Sequence, residues 1–233
     1  MNKLIISLLL FFNSVITFSQ SLKKDTVLLN KLLNRGNYLL SSNLDSGLII
    51  SQNCIALALK VKEKKFINQS YNLHGQVNYR LGNLDVALES FRKQEKFASN
   101  LSEKSAAIIN QGNIFIEKGT NDSAILYYKI AGNIALNAKD TLDYVKTRNN
   151  IAFVHKIEGR FDSSVYYQLQ ALKAFEKSKN KNGIGQSYIQ LAFTQYSRKF
   201  FLESKAYITK AILIYKELRR KYLHSYCKCL AYH

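Results

Sequence analysis

At 233 residues, 47% hydrophobic and 21% charged, the chain has enough apolar side chain to bury a sizeable core and reads as one or two globular domains. It contains no proline and only 10 glycines, where average usage would give about a dozen prolines, so sheet edges and proline-built turns are excluded as organising features and an all-helical chain is expected. A net charge of +18, from 34 Lys and Arg against 16 Asp and Glu, points to anionic partners or surfaces.

The first element is expected to be a secretory signal peptide over residues 1–19. Met1, Asn2 and Lys3 make a short basic start, Leu4 to Phe18 an apolar run broken by Asn13, and Thr17-Phe18-Ser19 puts small residues ahead of Gln20. The run is shorter than the roughly 20 residues a spanning helix needs, and no cysteine follows it that could accept a lipid. Cleavage would leave an exported protein, periplasmic or secreted; an uncleaved run would leave an N-terminal membrane anchor. No second segment is expected to span a bilayer.

Beyond the leader, Asp45, Asp85, Asp122 and Asp162 each stand ahead of an apolar run, as in NLDSGLIIS and TNDSAILYY, at steps of 40, 37 and 40 residues. A further step of 40 reaches Leu202 and Glu203. Small residues follow (Gly47, Ala87, Ala124, Ser164, Ser204), then larger ones four on (Ser51, Phe91, Tyr128, Gln168, Ile208), then Cys54, Gln94, Ala131, Ala171 and Ala211. This is helical spacing, and the small residues admit a neighbouring helix close to the axis. A second helix precedes each of the later acids, as in AIINQGNIFIEKG and NNIAFVHKIEG, with Gly75, Gly112, Ala152 and Ala192 in one column and Gly82, Gly119 and Gly159 in another. The second glycine column is expected to end the first helix, and the Asp to cap the next, at about 1 kcal/mol each.

Helical hairpins at this period resemble the tetratricopeptide repeat, the resemblance resting on Tyr71, Gly75, Gly82, Ala87 and Phe91; on Gly112, Phe115, Gly119, Ala124, Tyr128 and Ala131; and on Ile151, Ala152, Gly159, Phe161 and Ala171. It implies an all-α, right-handed superhelical solenoid of about five hairpins, over 26–62, 66–102, 104–139, 143–179 and 183–218. Residues 220–233 are then a capping helix or the start of a truncated sixth repeat. Its period exceeds the standard 34 residues, which longer helices or looser turns such as KSKNKNG (177–183) would absorb. A further likeness, to the exported sensory portion of bacterial signalling proteins, implies an alternative role as the ectodomain fragment of a histidine kinase or transcription factor without its membrane and output domains.

The family resemblance also implies a concave groove lined by first helices, holding a protein or peptide. Carried onto this chain, the groove residues are Gln69, Asn72, Gln76, Tyr79 and Arg80, then Asn113 and Glu117, then Lys146, Asn149 and Lys156, then Gln186 and Tyr196. Amides both donate and accept, which suits a peptide backbone, and the tyrosines supply contact area. The five places where some family members clamp a terminal carboxylate read Asn72, Gln76, Asn110, Lys146 and Asn150 here; only Asn110 and Lys146 agree, which argues against a clamp.

Nothing in the sequence asks for catalysis, a cofactor or a metal. His74 and His155 fall in columns of packing residues, and there is no Gly-rich phosphate loop. In the tail, His224, Cys227, Cys229 and His233 lack the spacing of a zinc site, and the cysteines take the places of Ile189 and Leu191. Cys54 replaces a small packed residue, and three cysteines suggest no disulfide framework. The lysines are scattered rather than gathered with stacking aromatics, and export argues against nucleic acid, while peripheral contact with an anionic membrane is compatible with the charge.

Overall fold

The computed structural model describes residues 22–218, and the regular structure there is entirely α-helical. Helix α1 covers 22–39; it is followed by α2 (Leu44–Val61), α3 (Lys64–Arg80), α4 (Leu84–Lys96), α5 (Leu101–Glu117), α6 (Asn121–Asn137), α7 (Thr141–Ile157), α8 (Phe161–Lys177), α9 (Lys181–Ser197) and α10 (Phe201–Glu217). The chain divides after Ser99 into two compact units. The signal segment, Cys227, Cys229 and the tail histidines lie outside the described residues.

In the first unit α2 packs on α3 and α3 on α4. Leu29 and Leu33 of α1 join Cys54, Ala58, Val61, Phe66, Leu73 and Val77 in one core. Cys54 is fully buried, and burial pushes its thiol up to about 11. Contrary to the expectation for segments beyond the leader, α2 has the length and apolar character to cross a membrane. Its Gly47, Ser51, Cys54, Ala58 and Val61 are buried against the rest of the first unit.

In the second unit each helix from α5 to α10 packs on the next. Ile108, Ile109, Tyr128, Ile151 and Val154 form one core cluster and Ile189, Ala192, Ile208 and Tyr215 another. All six helices have 17 residues and are joined by three-residue turns. Longer helices, not looser turns, therefore stretch the period: KSKNKNG is the end of α8, a tight turn and the start of α9. Helix α4, with 13 residues, is the short one and accounts for the one step of 37.

Gly82, Gly119 and Gly159 end α3, α5 and α7 with φ of 79°, 71° and 73°, the left-handed backbone that glycine adopts without steric penalty. At four other turns lysines, Lys62, Lys139, Lys179 and Lys199, hold that conformation.

The aspartates are not the caps. Asp45, Asp85, Asp122 and Asp162 sit second in their helices, inside the first turn, where a carboxylate is favoured by the helix dipole but does not close the end. The side-chain caps fall elsewhere: Asn43 accepts from the Ser46 amide, and three more stand before first helices, Asn100 on the Glu103 amide at 2.8 Å, Asp140 on Asp143 at 3.0 Å and Asn180 on Gly183 at 3.0 Å. Asn100→Ala is therefore expected to lower stability by about 1 kcal/mol and Asp122→Ala by a smaller amount, about 0.3 to 0.5 kcal/mol. Urea melts of the two variants check the order.

Candidate partner-binding face

The residues expected to line a groove all lie on first helices, but they divide between the two units. In the first unit, α3 carries Gln69, Asn72, Gln76, Tyr79 and Arg80. Gln69 is exposed, and Gln76 Nε2 donates to Asn72 Oδ1 one turn away at 3.1 Å, so the amides are pre-oriented in a pair. Arg80 Nη1 donates to the Leu40 carbonyl at 2.8 Å, tying α3 to the end of α1. Beside this row His74 Nδ1 shares a 2.8 Å hydrogen bond with Ser90 Oγ, while burial and the Lys93 ammonium hold the imidazole below its usual pKa. Ser90 Oγ is directed to the Val86 carbonyl, so it is not presented as a nucleophile.

In the second unit the face is carried by α5, α7 and α9. Asn150 Nδ2 donates to Asn113 Oδ1 at 3.3 Å, which joins α5 to α7. The same oxygen accepts the buried Tyr128 hydroxyl at 2.7 Å. Asn113 is thus committed to the fold: its truncation would remove this acceptor of a buried hydroxyl and cost stability. Lys146 is similarly engaged, its ammonium 2.7 Å from the buried carboxylate of Asp143. Gln186 and Glu117 are exposed, and Asn149 is half-buried in the position that Ile109 and Ile189 fill in the flanking hairpins. The Lys156 ammonium lies 6.0 Å over the Phe153 ring, and Tyr196 meets Phe201 edge-on at 5.4 Å.

The same face carries, beside Tyr196, two apolar residues that the sequence did not single out, Phe153 and Ile157. Phe153 is 49% exposed, Ile157 52% and Tyr196 50%. Phe153 and Phe193 stand 40 and 80 residues after Asn113, and Ile157 stands 40 after Glu117, so the column alignment already contained them. At the C-terminal end of α7, Arg160 Nε donates to His155 Nδ1 at 2.9 Å, and the ring stacks on Tyr167 at 5.5 Å. Burial and the Arg160 charge hold this imidazole below its usual range, so it serves as a neutral acceptor.

No family model matches the sequence, and no curated protein does. Solved structures do. Aspartyl phosphate phosphatase F from Bacillus subtilis superimposes with a TM-score of 0.79 at 14% identity, over 92% of this chain and 57% of that one. A Signal Transduction ATPase with Numerous Domains from Pyrococcus horikoshii, which carries a tetratricopeptide repeat sensor, gives 0.70 at 13% identity, over 89% of this chain and 33% of that one. The fold is tetratricopeptide-like. A Rap protein complexed with competence and sporulation factor gives 0.53 at 14% identity, over 82% of this chain and 66% of that one. The chain spans little more than half of the first of these proteins and a third of the second. At such identities the likeness is one of fold.

Proposed function

We propose that this chain is an exported, non-catalytic tetratricopeptide-like scaffold that binds a protein or peptide through its first-helix face. The observation that carries the reading is the exposure of Phe153, Ile157 and Tyr196 among the polar side chains of Lys146, Gln186 and Asn149. Folding alone gives no reason to hold two aromatic rings half in water on one face, whereas aromatic residues beside adaptable amides are what peptide-binding surfaces use. The similar Rap protein is one that was captured with a factor bound, which supports the same use of the fold here. The net charge of +18 favours acidic partners and faster encounter with them.

The test is a peptide selected from a random display library against the full chain. Phe153→Asp and Tyr196→Ala are each expected to weaken it about 10-fold with little change in melting, and Asn149→Ala by a smaller factor. Equal affinity for all three, with loss on substituting exposed second-helix residues such as Leu126 and Tyr166 instead, would move the site to the other face. Export rests on the leader. Mass spectrometry of the protein made in a bacterial host is expected to find an amino terminus near Gln20, and intact Met1 in the cytosol would overturn it.

A second reading, a sensory ectodomain whose output parts lie in a longer protein, draws on the likeness to the ATPase with its tetratricopeptide repeat sensor. An in-frame membrane helix encoded beyond His233 would favour it over the free scaffold.

A further inference from the structure

A groove of about 750 Å³ opens in the second unit between the C-terminal end of α6, the first turn of α7 and the last turns of α8. Its rim carries Lys139, Lys173 and Lys177, and its walls include Leu136, Tyr144 and Gln170. No carboxylate among the described residues pairs with these three lysines. The one acid in the lining, Asp140, is turned to the Asp143 amide as a helix cap. One hairpin later the place of Lys177 is taken by Glu217, which binds Lys181 at 2.6 Å, whereas here the matching pair is Lys177 and Thr141 and the positive charge is left standing.

Behind this groove lies a fourth cation. Arg148 is only 9% exposed and has no carboxylate partner among the described residues. Its guanidinium lies 5.0 Å from the Tyr144 ring and 5.5 Å from the Tyr167 ring, and Nη1 reaches Gln170 Oε1 at 3.4 Å. Room for it comes from Gly132, where an added Cβ would run into Arg148 Nη2. Both residues break the repeat, and they break it together. The place of Gly132 is held by Leu172 and Ile212 in the next two hairpins, and that of Arg148 by Ile108 and Tyr188 in the flanking ones. A packed leucine and isoleucine would complete an ordinary junction; instead a helix gives up its side chain to accommodate a nearly buried, unneutralised charge touching the groove's tyrosine and glutamine. Buried charges are normally paired, and an unpaired one is disfavoured in the free protein.

We propose that this groove binds a small organic anion, a carboxylate or phosphate carried on a ring or short apolar body, with the lysines taking the charge and Tyr144 and Leu136 the apolar part. The volume lies within the range of small-molecule sites, roughly 300 to 1,000 Å³. The guanidinium behind Tyr144 and Gln170 adds to the same positive field. This site is separate from the first-helix face and does not rest on its reading.

The probes are 2-naphthoate, 2-naphthyl phosphate and the neutral 2-naphthalenemethanol, titrated into the full chain and followed by calorimetry. Saturable binding of at least one anion is expected, at least 10-fold tighter than that of the alcohol, and the better anion identifies the headgroup. Lys139→Glu with Lys173→Glu and Lys177→Glu should weaken it at least 10-fold, while Lys129→Glu on the exposed side of α6 should not. Arg148→Ile, which restores the residue found at Ile108, should also weaken it and leave the melting midpoint unchanged or raised, a combination that a purely structural arginine would not give. Absence of saturable binding at millimolar probe, equal affinity for acid and alcohol, or indifference to both the lysine and the Arg148 variants would overturn the proposal. Undiminished binding of the display-selected peptide to the lysine variants would show the two sites to be independent.

Discussion

Tyr128→Ala is expected to destabilise the second unit by about 3 to 5 kcal/mol, the range for removing a large aromatic side chain from a core. Tyr128 is 2% exposed, lies against Gly112 and belongs to the cluster of Ile108, Ile125, Ile151 and Val154. Its truncation removes the ring and leaves Asn113 without the hydroxyl that it accepts at 2.7 Å. Tyr128→Phe separates the two contributions: it keeps the packing and is expected to lose only about 1 kcal/mol. Guanidinium melts of the two variants, read at constant slope, give the comparison. Equal losses would mean that the hydroxyl rather than the ring holds α5 to α6.

Gly75→Ala in the first unit should give the second large effect, a loss of about 1 to 3 kcal/mol from overpacking, in spite of the gain of up to about 1 kcal/mol that alanine normally brings to a helix. A Cβ at residue 75 would fall against three ring atoms of Phe91, which is 3% exposed. The other hairpins indicate the remedy. Glycine at this position accompanies an aromatic residue on the second helix, Gly75 with Phe91 and Gly112 with Tyr128, while Ala152 accompanies Gln168 and Ala192 accompanies Ile208. Gly75→Ala combined with Phe91→Ile should therefore recover more than the sum of the single effects predicts, with a coupling of about 1 kcal/mol or more. Strict additivity would show that the ring and the glycine do not share one space.

The residues differ in how openly they state their roles. Gly82, Gly119 and Gly159 could be read as helix ends because a left-handed backbone selects glycine, but Lys62, Lys139, Lys179 and Lys199 hold the same conformation without any such signature. The capping residues were legible in principle, since Asn100, Asp140 and Asn180 recur at 40 residues. They were obscured by the aspartates, whose first-turn position favours the same residue type for a different reason, the helix dipole. On the candidate face, Gln69 and Gln186 read as exposed polar residues and are exposed. Phe153 and Ile157 did not read as surface, because an apolar residue at helical spacing looks the same whether or not a neighbouring helix covers it.

The sequence by itself determined the all-helical hairpins, their period and the columns of small residues that let helices approach, because these follow from local backbone preference and from spacing along one helix. Tertiary structure alone decided which members of the columns meet. It set Asn113 against Tyr128 and Asn150, withdrawing an amide from the candidate face, and Arg148 against Gly132. The physical reason is that burial and hydrogen-bond pairing belong to contacts between helices: a side chain's solvent and partners are supplied by residues far away in the chain, and its own neighbours in sequence do not specify them.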